Sequence, residues 1–137
     1  MSRDAEVLFA NEAFYIAFAT RDLKAMGEIW SREHDLICVH PGWPPLYGRD
    51  LVMKSWAGIL GGPAAPRIRV HAARAHFVAP DAAFVTCWEI LDGGTVVATN
   101  VFLREGPSWR LIHHHGSPSA QPPENLGQEE EEKPRLQ

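Results

Sequence analysis

Trp109-Arg110-Leu111-Ile112-His113-His114-His115-Gly116-Ser117-Pro118 is the stretch on which the fold turns. It reads as a strand, and strand alternation sends His113 and His115 to one face of a sheet and His114 to the other. An imidazole is a poor generic core filler, because its two nitrogens need partners and its charge changes near neutral pH. At least one of the three must therefore enter an interior or an interface. A second, distant segment, Cys38-Val39-His40-Pro41-Gly42-Trp43, brings four of the seven histidines into two short stretches. Together they point to a polar pocket without naming its ligand.

Working outward from that strand, the second half of the chain reads as an antiparallel meander. Strands are expected over 67–78, 82–91, 95–104 and 109–117, separated by Ala79-Pro80-Asp81, Asp92-Gly93-Gly94 and Glu105-Gly106-Pro107-Ser108, whose residues favour tight turns. Upstream the period changes. Val7, Asn11, Phe14 and Phe18 follow helical spacing over 4–20, Asp22 is placed to cap a second short helix, and Val52, Met53, Trp56, Ile59 and Leu60 form a third stripe over 50–60. Leu36-Ile37-Cys38-Val39 is a short β-rich run ended by His40-Pro41-Gly42, and the residues around Trp43, Pro44 and Pro45 read as loop. Helices followed by strands make an α+β domain whose sheet must bury one face against those helices.

The composition limits the partners. The 137 residues are 45% hydrophobic and 22% charged, which fits one domain with a sizeable core. Of the formal charge of −4, the segment 119–137 carries −3 and the remainder only −1. Without a basic excess, neither nucleic acid nor an anionic membrane is a favoured partner. The domain is expected over 1–118, and 119–137, with Glu129 to Glu132, as a flexible acidic tail. Early acids and no continuous apolar run argue against a secretory signal, no stretch approaches the roughly 20 apolar residues of a membrane span, and a cytoplasmic location is the default. Cys38 and Cys87 lie in apolar runs and are expected as reduced, buried thiols.

Asn11-Glu12-Ala13-Phe14-Tyr15, Asp22, Met26, Trp30, Val39-His40-Pro41-Gly42-Trp43, Gly48, Ser55-Trp56, Ala98-Thr99-Asn100-Val101-Phe102 and the closing His-rich strand resemble the SnoaL-like branch of the nuclear transport factor two-like superfamily, over about residues 5–118. The resemblance implies a cone-shaped, cystatin-like α+β barrel: three N-terminal helices packed in a strongly curved antiparallel sheet, a deep pocket, and a homodimer formed through the sheet. The superfamily includes ketosteroid isomerases, polyketide cyclases, dehydratases and the association domain of calcium/calmodulin-dependent kinase, so fold alone does not choose an activity. The association domain is similar in its final hairpin but displays arginines where this chain has Asn100 and Gly116, which removes anion-binding charge. The comparison puts Asn100, His114 and Gly116 on the pocket face, while a one-residue slip exchanges His114 for His113 and His115.

On this reading His40 and His114 are the candidate acid/base residues, with Tyr15, Trp43, Trp56, Trp88, Asn100 and His113 as ligand-binding groups. If Glu89 is buried, desolvation raises its pKa and makes it a candidate base; if Trp88 is inward, alternation puts Glu89 on the outer face, paired with Arg104 or Arg110 at a dimer interface, and that second reading is the favoured one. No metal or cofactor is expected. Neighbouring strand histidines diverge, only His113 and His115 could chelate together, and no phosphate loop, nucleophile elbow or zinc-finger spacing is present. The expected function is binding of an apolar or weakly polar small organic molecule in the cone. Alternatives are an isomerase, cyclase or hydrolase using a pocket histidine, and a dimeric assembly domain whose pocket is vestigial.

Overall fold

Ser2 starts the first helix, α1 (Arg3–Ala19), by accepting the Ala5 amide on its hydroxyl at 3.1 Å. The buried side of α1 carries Val7, Asn11, Phe14 and Tyr15, so two polar groups travel inward with the apolar stripe. Asp22 caps α2 (Leu23–Ile29) through Ala25 at 3.0 Å, as its position in the sequence implies. The chain then forms β1 (Ile37–Val39), a two-residue β2 (Leu46–Tyr47) just after the loop residues Trp43, Pro44 and Pro45, and α3 (Arg49–Leu60). Gly48, at φ +89°, supplies the left-handed turn into α3. The Arg49 guanidinium fastens the start of α3 to the end of α2, donating to the carbonyls of Gly27, Trp30 and Ser31. A computed structural model describes residues 2–63 and 67–124 of the chain. The acidic run expected to be a flexible tail lies outside the described residues.

Four long strands complete the domain: β3 (Arg69–Ala79), β4 (Ala82–Leu91), β5 (Gly94–Glu105) and β6 (Ser108–Ser119). The six strands form one curved sheet in the order β2-β1-β6-β5-β4-β3, antiparallel except where β1 runs parallel to β6. Two of the three register shifts in the described sheet aim the side chains. In β3 the register shifts between His71 and Arg74, and Ala72 takes φ +55°, which bends the strand beside α1. In β6 it shifts opposite Val101 and Phe102, leaving Ile112 as the extra residue. That bulge reverses the parity of β6, so Trp109 and Leu111 face inward before it and His114 and Gly116 after it.

The core lies between the helices and the concave sheet face. Phe14, Met26, Trp30, Val52, Trp56, Val85, Phe102 and Leu111 fill it. Strand β4 alternates strictly, with Ala83, Val85, Cys87 and Glu89 inward and Phe84, Thr86, Trp88 and Ile90 half-buried on the convex side. The expectation for Trp88 and Glu89 is thereby reversed. Alternation in phase with Val85 and Cys87 carries Glu89 inward and turns the indole outward.

Candidate functional site

Five polar side chains from four elements meet in the interior. α1 supplies Asn11 and Tyr15, β4 supplies Glu89, β5 supplies Asn100 and β6 supplies His114. All are almost fully removed from solvent, Glu89 retaining 3% of its surface and Asn100 none. Groups so deeply buried must satisfy one another, and these do so in a chain of fixed polarity.

Asn100 Oδ1 can only accept, so His114 carries its proton on Nδ1 and donates it across 2.5 Å. The Asn100 amide nitrogen donates onward to Asn11 Oδ1 at 2.8 Å and to the Tyr15 hydroxyl at 3.2 Å. Tyr15 donates its own proton to Glu89 Oε2 at 2.6 Å, and Cys87 Sγ lies 3.3 Å from the same hydroxyl. The unprotonated Nε2 of His114 then stands 3.9 Å from that Glu89 oxygen, which nearly closes the ring. His40, at the end of β1, lies to one side. Its Nε2 contacts Ser55 Oγ at 2.9 Å, and its ring is 6.3 Å from that of His114.

Burial dominates the electrostatics. It raises the Glu89 carboxyl to about 7, although the Tyr15 hydrogen bond pulls the other way. Tyr15 is raised well above its ordinary value, by burial first and then by the neighbouring carboxylate. Burial lowers His40 to about 4 and His114 to about 3, the latter helped by His40 and the adjacent imidazoles. Both histidines are neutral at physiological pH. Cys38 and Cys87 are free thiols pushed up to about 12 and about 11, chiefly by burial, and are inert as nucleophiles.

The interior around His114 is filled by rings: Phe14 at 5.0 Å, Trp56 at 6.0 Å, and His40, itself 4.8 Å from Trp56. Open volume begins at the edge of the network. A cleft of about 430 Å³ between α1 and the bent start of β3 is lined by Leu8, Ile16, Ile68, Val70 and Ala73, with Asn11 and Tyr15 among its polar groups. Buried Trp56 also holds an indole N–H with no acceptor among the described residues.

Residues 7–121 match the SnoaL-like domain family. The chain belongs to that family. A candidate dehydratase of the NTF2-like family from Streptomyces avermitilis is 32% identical, with a TM-score of 0.77, over 85% of this chain and 96% of that one. A candidate calcium/calmodulin-dependent protein kinase type II association domain from Thiobacillus denitrificans is 35% identical, with a TM-score of 0.72, over 80% and 92%. The CaMKII hub of S. rosetta, at 18% identity and a TM-score of 0.71 over 87% and 98%, shares the fold. The F-box protein SKIP8 of Arabidopsis thaliana is 29% identical over 113 residues, 81% of this chain, and the chain spans about half of that protein, 48%.

Within this SnoaL-like domain, Tyr15, Asn100 and His114 are joined by hydrogen bonds, and Trp56 and His40 pack beside them. Trp43 is displaced to the surface, 45% exposed, with its ring 4.8 Å from His40. Trp88 and His113 are not part of the interior cluster. Trp88 occupies the convex side of β4, and the β6 bulge leaves His113 half-buried beside His115, their rings 6.0 Å apart. Burial and His115 lower His113 as well. Sequence reasoning missed Asn11 and misplaced Glu89. The available signal was a polar residue on the apolar stripe of α1 and a carboxylate in phase with Val85 and Cys87.

Far from this cluster, Glu33, His34 and Glu105 bring potential metal-ligating atoms within 4.8 Å of one another. Two of the three are exposed, and Ser31 already bonds Glu105 at 2.6 Å and His34 at 3.3 Å. No described helix is long and apolar enough to cross a membrane.

Proposed function

We propose that this SnoaL-like domain binds a small, largely apolar organic molecule carrying one polar group, seated in the cleft between α1 and β3. The observation that carries the reading is the buried hydrogen-bonded chain of Asn11, Tyr15, Asn100, Glu89 and His114, whose Asn11 and Tyr15 end reaches the wall of a cleft lined otherwise by aliphatic side chains together with Glu12 and Arg69. Such a wall with a few convergent polar groups suits a small ligand. A cytoplasmic site of action is part of the proposal, in keeping with two free thiols. Thermal shift with a metabolite library tests it on wild type and Tyr15→Phe. A true ligand at 100 times its Kd should stabilise wild type by about 2.7 kcal/mol and lose most of that effect without the hydroxyl. Failure of every compound, or an equal shift in Tyr15→Phe, would overturn the assignment.

One observation favours a second reading, proton transfer on the bound molecule. With both buried histidines held neutral, Glu89 near 7 is the group suited to exchanging a proton at physiological pH, relayed to the cleft through Tyr15. An isomerase or cyclase would then depend on Glu89 more than on His40 or His114. The assembly reading is compatible with both. Phe84, Trp88, Val97 and Val101 make the convex sheet face apolar enough for a second copy, and a likeness to association domains supports dimerisation there.

A further inference from the structure

We propose a second ligand site, separate from the α1–β3 cleft, that takes a medium-chain carboxylate: a groove between α3 and the segment leading from His40 into β2. The groove has a volume of about 520 Å³ and is lined by Trp43, Leu46, Leu51, Lys54, Ser55, Gly58 and Ile59. Trp43 and Leu51 keep 45% and 51% of their surface in solvent, so the apolar wall of the groove is open to a ligand. Leu51, Lys54, Ser55 and Gly58 recur at helical spacing, so one face of α3 forms a wall of the groove.

The polar groups decide which end of a ligand goes where. Ser55 donates its hydroxyl proton to the Val52 carbonyl at 2.6 Å, and its oxygen is met by His40 Nε2 at 2.9 Å, so the serine is already engaged at both functions. His40 is neutral and buried against Trp43 and Trp56. Among the described residues, the one charged group lining the groove is the Lys54 ammonium, and it makes no ion pair with any of them. A bound molecule must therefore lay an apolar body over Trp43, Leu46 and Ile59 and carry its negative charge toward Lys54. A single compact ammonium matches one carboxylate, whereas a larger polyanion would ask for several cations. Pockets of this volume hold small organic molecules, and eight to ten carbons are within its scale. Gly58 leaves the wall open: a Cβ built there meets nothing within 4 Å.

Octanoate, below its micellar concentration, is the probe, followed by amide and indole resonances of the isotopically labelled full chain. Octanoate should shift Trp43, Leu51, Gly58 and Ile59 with saturation at millimolar concentration or below. Lys54→Glu, an exposed helical substitution that spares the core, should weaken binding at least tenfold, while Lys54→Arg retains it. Gly58→Leu, which fills the groove, should weaken it similarly with a melting temperature no lower than wild type's, because leucine is the better helix former. Octanol should bind at least tenfold more weakly than octanoate. Tyr15→Phe should leave octanoate binding intact, which separates this site from the cleft at Tyr15. Equal affinity for octanol, indifference to Lys54→Glu, shifts confined to Leu8, Tyr15 and Ile68, or shifts of the groove residues with protein concentration alone would each overturn the site.

Discussion

Glu89 shows how one buried carboxyl ties chemistry to stability. Its folded-state value of about 7 lies above the ordinary 4.5, so the folded chain holds a proton that the unfolded chain has released between those limits. Stability from Glu89 is therefore whole below pH 4.5, is lost as pH rises toward 7, and falls no further beyond. Over about 2.5 units that loss is about 3 kcal/mol. Glu89→Gln keeps an acceptor for Tyr15 and removes the titration. Relative to wild type, the variant should gain about 3 kcal/mol between pH 4 and pH 8 in urea unfolding, and a pH-independent difference would mean that Glu89 titrates normally. The sign is opposite for His40 and His114. Their lowered values give stability present above the ordinary 6.5 and lost as pH falls toward about 4 and about 3. With two histidines opposing one glutamate, wild type should be most stable close to pH 6.5.

At the level of elements, β6 does most to build the site, and Gly116 is its tightest point. A Cβ there would lie 3.0 Å from Pro41 Cγ and 3.1 Å from Val96 Cγ1, where β6 passes the turn after β1. Gly116→Ala should destabilise by about 1–3 kcal/mol through overpacking, measured by thermal unfolding. It should also disturb His40, which directly precedes Pro41 in that turn, so its ring resonances should shift more than those of Tyr15. A neutral effect would show that the turn yields freely. The elements themselves were legible from the sequence, because helical spacing over 4–20 and turn residues between 67 and 117 are local signals. Asp22 acted as the cap it resembled. The facing of β4 and β6 was less legible for a physical reason. Strand parity is a global property, and one bulge at Ile112 reverses everything after it. A count from Trp109 alone puts His113 inward. Trp88 misled through size, since an aromatic group was expected in the core, whereas strand alternation puts it out of phase with the inward Val85, Cys87 and Glu89. The pairing of Asn100 with His114, anticipated by resemblance, survived because both lie on the inward side of the bulged hairpin.

For the molecule as a whole, the convex sheet face poses the largest imbalance between sequence and solvent. A sheet with one face in water should alternate apolar and polar residues, yet β4 turns Phe84, Trp88 and Ile90 outward, and β5 adds Val97, Val101 and Leu103. Pro123 and Glu124 lie beside Arg74, Trp88 and Val97. Val97, 38% exposed on β5, stands away from any helix. If the proposed dimer forms there, about 800 Å² per partner is the area a stable pair requires, and a charge at Val97 would be buried without compensation. Wild type should then elute with twice the chain mass in light-scattering chromatography at micromolar concentration. Val97→Glu should elute at one chain mass and keep its far-ultraviolet dichroism, because position 97 faces away from the core. A monomeric wild type, or a dimer unaffected by Val97→Glu, would assign this apolar face to something other than a second copy. The core ring of Glu89, Tyr15, Asn100 and His114 lies on the opposite side of the same strands. Loss of the dimer should therefore leave the pH dependence of stability in place, and a collapse of both together would show that the sheet needs its partner to hold the curvature that closes the ring.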